Sequence, residues 1–382
     1  MKYRAFGTTG TSTSILGFGC MRLPLIGEDA GSIDEQLAIH LIRYAIDHGV
    51  NYIDTAYPYH RGFSEALTGR ALKDGYRAKV LLATKLPVWL LESVDDTEKY
   101  LNEQLARLDT DYIDFYLVHS LSSESWETTK KYEVLSTLEK AKAEGKIRHI
   151  GFSFHDRLNL FKEIVDYYPW AFTQIQLNYM DENYQAGVAG MKYAHGKGLG
   201  IVAMEPLRGG KLVRSVPPDI LARWDEADTA RTPAEWALRW VFDHPEVSVA
   251  LSGMTTMDQV KENIRVASEA EAGSLSQSEH QLISAVRDMY LQRIRVLCTD
   301  CGYCLPCPEG VAIPSVFDLY NDGVAYSTAT VARRFYSGLV RRGADASRCI
   351  ACGACLPKCP QAIEIIDQLA QAHRFLTEDE KS

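Results

Sequence analysis

The 382-residue chain contains no apolar run approaching the roughly 20 residues that span a bilayer, so a membrane protein built on helices is not expected. It also has no surplus of base. A net charge of −9 argues against non-specific nucleic-acid binding, which depends on basic surface to displace phosphate counterions. The opening residues, MKYRAFGTTGTSTS, lack the apolar core of a secretory signal, and cytoplasmic residence is the expectation. Reducing compartments keep thiols free, so the nine cysteines are not expected to form a disulfide framework. Hydrophobic residues at 46% and charged residues at 24% are ordinary for a globular chain, and the length suits one large domain with a smaller one beside it.

Short apolar runs and amphipathic segments alternate along most of the sequence. Residues 2–15 read as a small hairpin. The run 15–20 reads as a strand, and Leu37, Leu41, Tyr44, Ala45 and His48 space a helix over 33–48 that Gly49 stops. Seven more strands are expected at 52–54, 80–84, 112–118, 147–152, 172–177, 201–204 and 247–251. Helices follow them at 64–73, 94–108, 132–144, 157–167, 184–196, 233–242 and 257–267, with 120–131 and 213–232 left as loops. Eight β/α units in residues 1–275 imply a closed parallel (β/α)8 TIM barrel. A doubly wound sheet would offer a Gly-rich phosphate turn after its first strand, and Gly17-Phe18-Gly19 lacks the third glycine of that fingerprint. Gly198-Leu199-Gly200 precedes a strand instead of following one and reads as a helix C-cap.

Barrels of this kind carry their catalytic groups at the C-terminal strand ends. Asp54, Lys85 and His119 each follow an apolar run at the end of the second, third and fourth strands, and Tyr59 lies in the loop after Asp54. A phenol is a reluctant proton donor at neutral pH, and a neighbouring ammonium is expected to lower its pKa. Asp54 would keep Lys85 charged, while His119 would orient a carbonyl oxygen. Together the four suit protonation of an oxygen while hydride arrives at its carbon.

With Asp54-x4-Tyr59, Lys85 and His119 in this order, residues 2–270 resemble the aldo-keto reductase family. So do Gly17-Phe18-Gly19-Cys20-Met21-Arg22, the stretch 49–56 with Ser64-Glu65 after it, and Gly145-Lys146-Ile147-Arg148 leading to Gly151-Phe152-Ser153. The resemblance implies reduction of a small aldehyde or ketone by NAD(P)H. It places Gly19, Cys20 and Met21 by the cofactor, Ser153 and Gln174 on the nicotinamide carboxamide, and Met204 where an aromatic usually stacks. Pro206, Leu207, Gly209 and Lys211 would line the pyrophosphate, and Glu262 and Asn263 the adenine. Phe154 stands where Asn usually follows the fifth-strand Ser, and Ser252-Gly253-Met254-Thr255-Thr256 holds none of the basic residues that clamp a 2′-phosphate. NADH is therefore open to it, and any preference for NADPH is expected to be modest.

Eight of the nine cysteines fall between Cys298 and Cys359. Cys349-x2-Cys352-x2-Cys355-x3-Cys359-Pro360 is the bacterial ferredoxin run, and Cys298-x2-Cys301-x2-Cys304-x2-Cys307-Pro308 is the same device with one residue fewer. In such runs three thiolates wrap one cubane and the Cys-Pro thiolate turns to the other. Cys298, Cys301, Cys304 and Cys359 are thus assigned to one [4Fe–4S] cluster, and Cys349, Cys352, Cys355 and Cys307 to a second. The expected organisation is a connecting helix at 276–296, a small, mainly helical ferredoxin-like domain at 297–368 with helical segments at 316–320 and 329–340, and a tail at 369–382. The domain is expected to take over the substrate-pocket wall that family members build from their C-terminal loop. Arg333, Arg334, Arg341, Arg342 and Arg348 offer a dock for an acidic electron carrier. Hydride moves as an electron pair and such clusters take one electron at a time, yet no flavin-binding motif is present to bridge them. The alternative to a carbonyl reductase is an electron-transfer subunit whose barrel is not the main catalyst.

Overall fold

The computed structural model describes the chain except for residues 28, 215, 299–301, 360 and 379–382. The expected ligand Cys301 and the proline after Cys359 lie outside the described residues. An antiparallel hairpin, β1 (Tyr3–Ala5) with β2 (Ser12–Ser14), precedes eight strands. These are β3 (Leu16–Gly19), β4 (Tyr52–Asp54), β5 (Leu81–Leu86), β6 (Ile113–Leu121), β7 (Ile147–Phe154), β8 (Phe172–Gln176), β9 (Gly200–Met204) and β10 (Val249–Ser252). All pair in parallel, and β10 closes back on β3. The expected (β/α)8 barrel is the fold.

Alternation along the strands decides what fills the barrel. Tyr52, Ala83, Phe115, Phe172, Val202 and Val249 form one buried apolar layer inside it. Phe6, just past β1, stacks into that layer at 4.4 Å from Phe115 and 5.5 Å from Phe172 between ring centroids. Gly200 must be glycine here, because a Cβ would meet the Phe6 ring at 2.6 Å. Gly198, at φ +87°, terminates the helix Gly187–Gly196, as its C-cap reading required. Since Phe6 packs on the first residues of β4, β8 and β9, the N-terminal barrel end is filled with hydrocarbon. The polar residues two positions further along the same strands face the other end.

Two helices replace expected loops. Ser123–Lys131 is launched by Ser122 and Ser125, whose side chains cap each other's backbone, and Pro218–Trp224 begins with proline in its first turn. The fourth barrel strand also runs past His119 to Leu121, with a register shift between Val118 and Leu121.

The chain divides into two compact units, Met1–Gly209 with Ala234–Ser276, and Gly210–Pro233 with Gln277–Ser382. The second therefore takes in a segment after β9 that the sequence left with the barrel. Within this unit Arg293 holds Asp219 at 2.5 Å, Arg231 holds Glu279 at 2.5 Å and Lys211 pairs with Asp322. Its core is built by the helices Ile313–Ala325, Ala329–Arg341 and Ile365–Thr377 through Val316, Phe317, Tyr336, Leu339, Leu369 and Leu376. The last helix buries residues beyond 368, where the sequence placed only a tail.

Candidate active site and cysteine centre

The barrel's apolar layer gives way, one step towards the C-terminal ends, to a polar one. Ala83 is followed two positions on by Lys85, Tyr52 by Asp54 and Phe172 by Gln174, each keeping the inward face. Lys85 is fully buried, and its ammonium donates to both Asp54 carboxylate oxygens at 2.7 and 2.8 Å and to the Thr55 carbonyl at 2.8 Å. All three ammonium protons thus have acceptors in β4 and the turn after it. Burial alone would push Lys85 down and Asp54 up. The bidentate contact opposes both pulls: Asp54 lifts Lys85 above its ordinary value, while Lys85 draws the Asp54 carboxyl down without offsetting burial, which leaves it raised.

Tyr59 lies where the chain turns out of β4, and the Lys85 ammonium sits over its ring, 4.9 Å from the centroid. His119 approaches the same ring edge-on at 6.1 Å, and Trp89 lies 5.1 Å from the His119 ring. The structure thus brings Asp54, Tyr59, Lys85 and His119 together. It corrects the expected direction of the Tyr59 pKa. Burial raises the phenol above its ordinary value and outweighs the lowering by Lys85. His119 goes the other way, held well below the usual imidazole range by burial first and then by Lys85 and His155. It is a neutral ring at physiological pH, and its buried Nδ1 has no hydrogen-bond partner among the described residues.

On the next strands Ser153 and Gln174 are register neighbours, both 2% exposed. Ser153 Oγ accepts the Ser120 N–H at 2.7 Å. The Gln174 amide donates to Met204 Sδ at 3.6 Å, while its buried Oε1 has no partner among the described residues. An orphaned amide oxygen inside a barrel is costly unless something polar meets it, so the position fits a ligand carrying an N–H. Phe154 points to the outer layer and packs on Phe152 and Phe161.

Around the mouth, Gly19 passes so close to β10 that a Cβ would stand 3.4 Å from the Ser252 carbonyl, and Met21 is half exposed. Burial pushes the Cys20 thiol up to about 12, and its N–H donates to the Asp54 carbonyl at 2.8 Å, so Cys20 is barrel wall. After β9 the backbone takes left-handed conformations at Glu205 (φ 58°), Arg208 (φ 48°) and Gly209 (φ 65°) around Pro206 and Leu207. Two ion pairs hold the strained non-glycine positions: Arg208 with Asp181 at 3.3 Å and Glu205 with Arg22 at 3.4 Å. Arg22 escaped the sequence reading as a functional candidate. Its stem lies against Gly253, where a Cβ would meet it at 2.9 Å, and its guanidinium lies beside Gly209. It places a bidentate donor between the loops after β9 and β10. Lys211 pairs with Asp322 within the second unit. Asn263 is buried and donates to Ser252 Oγ at 3.0 Å, and Glu262 beside it is half-buried.

A second missed feature lies behind the ion pair. Thr84 faces outward and donates to the buried carboxylate of Glu65 at 2.6 Å. Gln104 donates to the same oxygen at 2.6 Å and to the Lys85 carbonyl at 3.0 Å, while accepting from the Tyr116 hydroxyl at 2.6 Å. The network clamps the backbone that carries Lys85. A signal for it was present, since Gln104 interrupts the buried stripe Thr97, Leu101, Leu108 of the helix Asp96–Leu108.

In the second unit Cys307, Cys349, Cys352, Cys355 and Cys359 are free thiols. Cys307, Cys349, Cys352 and Cys355 line one hollow of about 380 Å³, which Cys304 also touches. Burial raises the Cys355 thiol, and Cys349, Cys352 and Cys307 add to the rise, so the four are electrostatic neighbours. Cys298, Cys304 and Cys359 line another hollow of about 320 Å³ beside Ile313 and Phe317. These are the two sets the spacing assigned, apart from Cys301. Among the described residues no group of three or more acidic, histidine or cysteine side chains converges tightly enough for a single metal ion.

Comparison with known proteins finds two families along the chain. Residues 15–288 match the aldo/keto reductase family, and residues 297–364 match the 4Fe-4S dicluster domain. The chain is similar to L-galactose dehydrogenase of Arabidopsis thaliana, 29% identical over 75% of this chain and 94% of that one. It is also similar to the NADH-specific methylglyoxal reductase of Escherichia coli, 27% identical over 69% of this chain and 93% of the other. Among solved structures, the holo form of an aldo-keto reductase from Bacillus halodurans aligns with a TM-score of 0.63 at 29% identity, covering 75% of this chain and 96% of that one. No helix among the described residues is long and apolar enough to cross a membrane.

Proposed function

Since the chain belongs to the aldo/keto reductase family and carries a 4Fe-4S dicluster domain after the barrel, we propose that it reduces a small aldehyde or ketone to the alcohol with a nicotinamide cofactor, Tyr59 giving the proton. One observation carries this reading: the Lys85 ammonium is fixed by Asp54 and Thr55 and lies over the Tyr59 ring. Burial keeps Tyr59 a phenol through neutral pH, so the proton is present when a carbonyl oxygen arrives. As it leaves, the phenolate forms beside a cation that does not have to move, and such preorganised charge is the largest usual source of catalysis. Neutral His119 can donate to the same oxygen and set its orientation without competing as an acid. A bound nicotinamide supplies the hydride. Its carboxamide N–H group would be met by Gln174 Oε1, with Ser153 beside it. Gly19, Met21, Pro206, Leu207 and Gly209 would line its path, and Arg22 is the cation available to phosphate there.

The 2′-phosphate finds little in the loop after β10. The Thr255 N–H and hydroxyl are both taken by Gln259 Oε1, at 2.8 and 3.2 Å. The ratio of kcat/KM for NADPH over NADH should stay below about a hundredfold, or about 2.7 kcal/mol. In the second unit the two cysteine-lined hollows support two [4Fe–4S] clusters, on Cys298, Cys301, Cys304 and Cys359 and on Cys349, Cys352, Cys355 and Cys307. Thiolate-ligated clusters fit a reducing, cytoplasmic setting. Anaerobic purification should return about eight irons per chain.

The test is Tyr59→Phe, assayed by NADH oxidation with a panel of aldehydes. Loss of a positioned general acid should lower kcat by about 10²–10⁴-fold. Unchanged turnover would defeat the reductase reading and favour an electron-transfer subunit.

A further inference from the structure

The second unit carries a surface that carbonyl reduction does not use. We propose that the end of the helix Ala329–Arg341 and the loop running from it through Ile350 to Cys352 form the docking face for an acidic, one-electron carrier protein, delivering electrons to the Cys307–Cys349–Cys352–Cys355 centre. The proposal rests on the cluster proposed above for that centre, and it stands or falls separately from the carbonyl chemistry.

Charge is the first observation. The chain as a whole carries −9. Between residues 329 and 359, by contrast, the bases are Arg333, Arg334, Arg341, Arg342, Arg348 and Lys358, and the single acid is Asp345. Asp345 is 3% exposed, and its carboxylate accepts the Ser347 N–H at 2.9 Å, so it cancels nothing at the surface. Arg334, Arg341, Arg342 and Arg348 are exposed, and among the described residues none of them is spent in an ion pair. Arg341 reaches only Ser337 Oγ at 3.3 Å, and Arg348 the Glu309 carbonyl at 3.1 Å. A concentrated basic patch on an acidic protein steers an acidic partner and repels most others.

Position is the second. Arg348 runs its stem along Gly343, where a Cβ would stand 3.7 Å from Arg348 Cδ, which ties the helix end to the cysteine loop. Glu309, whose carbonyl Arg348 holds, lines the same hollow as Cys307, Cys349 and Cys352. Cys352 is the exposed cysteine among those described. Ile350, between Cys349 and Cys352, is 64% exposed, and Phe335 and Val340 on the preceding helix are 65% and 47% exposed. Apolar anchors inside a charged rim are the anatomy of a transient protein interface. A nucleic acid would use the arginines but gain nothing from Ile350, and it has no business with a thiolate centre.

The step balances simply. One electron passes from the reduced carrier to the cluster, the carrier is oxidised by one and the cluster reduced by one, and no bond forms and no proton moves.

The experiment uses the anaerobically purified, iron-loaded full chain. Two probes are titrated calorimetrically, an acidic plant-type [2Fe–2S] ferredoxin and an acidic flavodoxin, and a 20-base-pair DNA duplex serves as the competitor class. The proposal expects at least one carrier to bind. Between about 50 and about 200 mM salt its affinity should fall at least about tenfold. Charge reversal at Arg341→Glu, Arg342→Glu and Arg348→Glu together should weaken it at least about tenfold more, with iron content unchanged. Stopped-flow reduction of the cluster chromophore by the reduced carrier should slow in parallel. Should the triple variant lose iron, the wild-type salt series and the Phe335→Asp variant, at an exposed helix position, decide the matter. The proposal is overturned if neither carrier binds, if binding ignores salt and charge reversal, or if the duplex binds as tightly as the carriers. An iron count near zero in wild-type protein would instead remove the cluster on which the proposal depends.

Discussion

The two polar centres of this chain are held in opposite ways. In the barrel, protein atoms supply almost everything: Lys85 has three acceptors, Asp54 is bound through both oxygens, and the backbone of Lys85 is clamped by Gln104. In the second unit the cysteines are placed by turns and by packing against a small helical core. A site that balances charge within the fold is rigid before any ligand arrives. A site made of converging thiols is completed by what it binds.

The largest expected effect comes from iron. Chelation should speed hydrogen exchange of the amides around residues 302–310 and 349–359 by more than about 10⁴-fold, or about 5.5 kcal/mol. The amides of β4 to β6 should be untouched. Equal loosening of both units would erase the contrast.

Next in size is the buried ion pair. Asp54→Asn or Lys85→Met alone leaves one charge unpaired where neither group is more than 4% exposed, and each should cost about 3–5 kcal/mol in denaturant melts. The double variant should recover part of that loss. A double variant as unstable as the sum of the singles would mean that the pair is not the unit the geometry describes.

Gln104→Leu strips partners from Glu65, Tyr116 and the Lys85 carbonyl, and should cost about 1–3 kcal/mol. A simple packing role would lower stability alone. A positioning role would also lower kcat at saturating substrate, and the split between kcat and KM separates the two.

The smallest effect is in pH. Because the Tyr59 pKa is raised, the acid is protonated below it, so kcat/KM for carbonyl reduction should stay level through neutrality and decline only above about pH 10. Because that of His119 is lowered, no step should appear near pH 6.5. A profile falling between pH 7 and 8 would show that Lys85 outweighs burial at Tyr59 after all.

Much of the barrel was legible because its signals are local. Strand and helix periods alternate, and Asp54, Lys85 and His119 sit on apolar strands with Tyr59 at a fixed offset after the first of them. The 4Fe-4S dicluster domain was equally readable, since cysteine spacing is written in the chain. What stayed hidden depends on partners far apart in sequence. The raised pKa of Tyr59 follows from burial that no five-residue motif expresses. Lys211 pairs with Asp322, 111 positions away, and Arg22 with Glu205, 183 positions away. The helix Pro218–Trp224 lies in a segment without a long apolar stripe, and its unit is set by contacts such as Arg293 with Asp219.

The claim at the centre is that hydride chemistry belongs to the barrel alone. Its most direct test is a single turnover of iron-loaded protein mixed with NADH and an aldehyde, following nicotinamide absorbance, the cluster chromophore and alcohol formed. The account predicts about one alcohol for each NADH consumed, with the cluster spectrum unchanged on that timescale. Bleaching of the cluster in step with NADH oxidation, or NADH loss without alcohol, would contradict it.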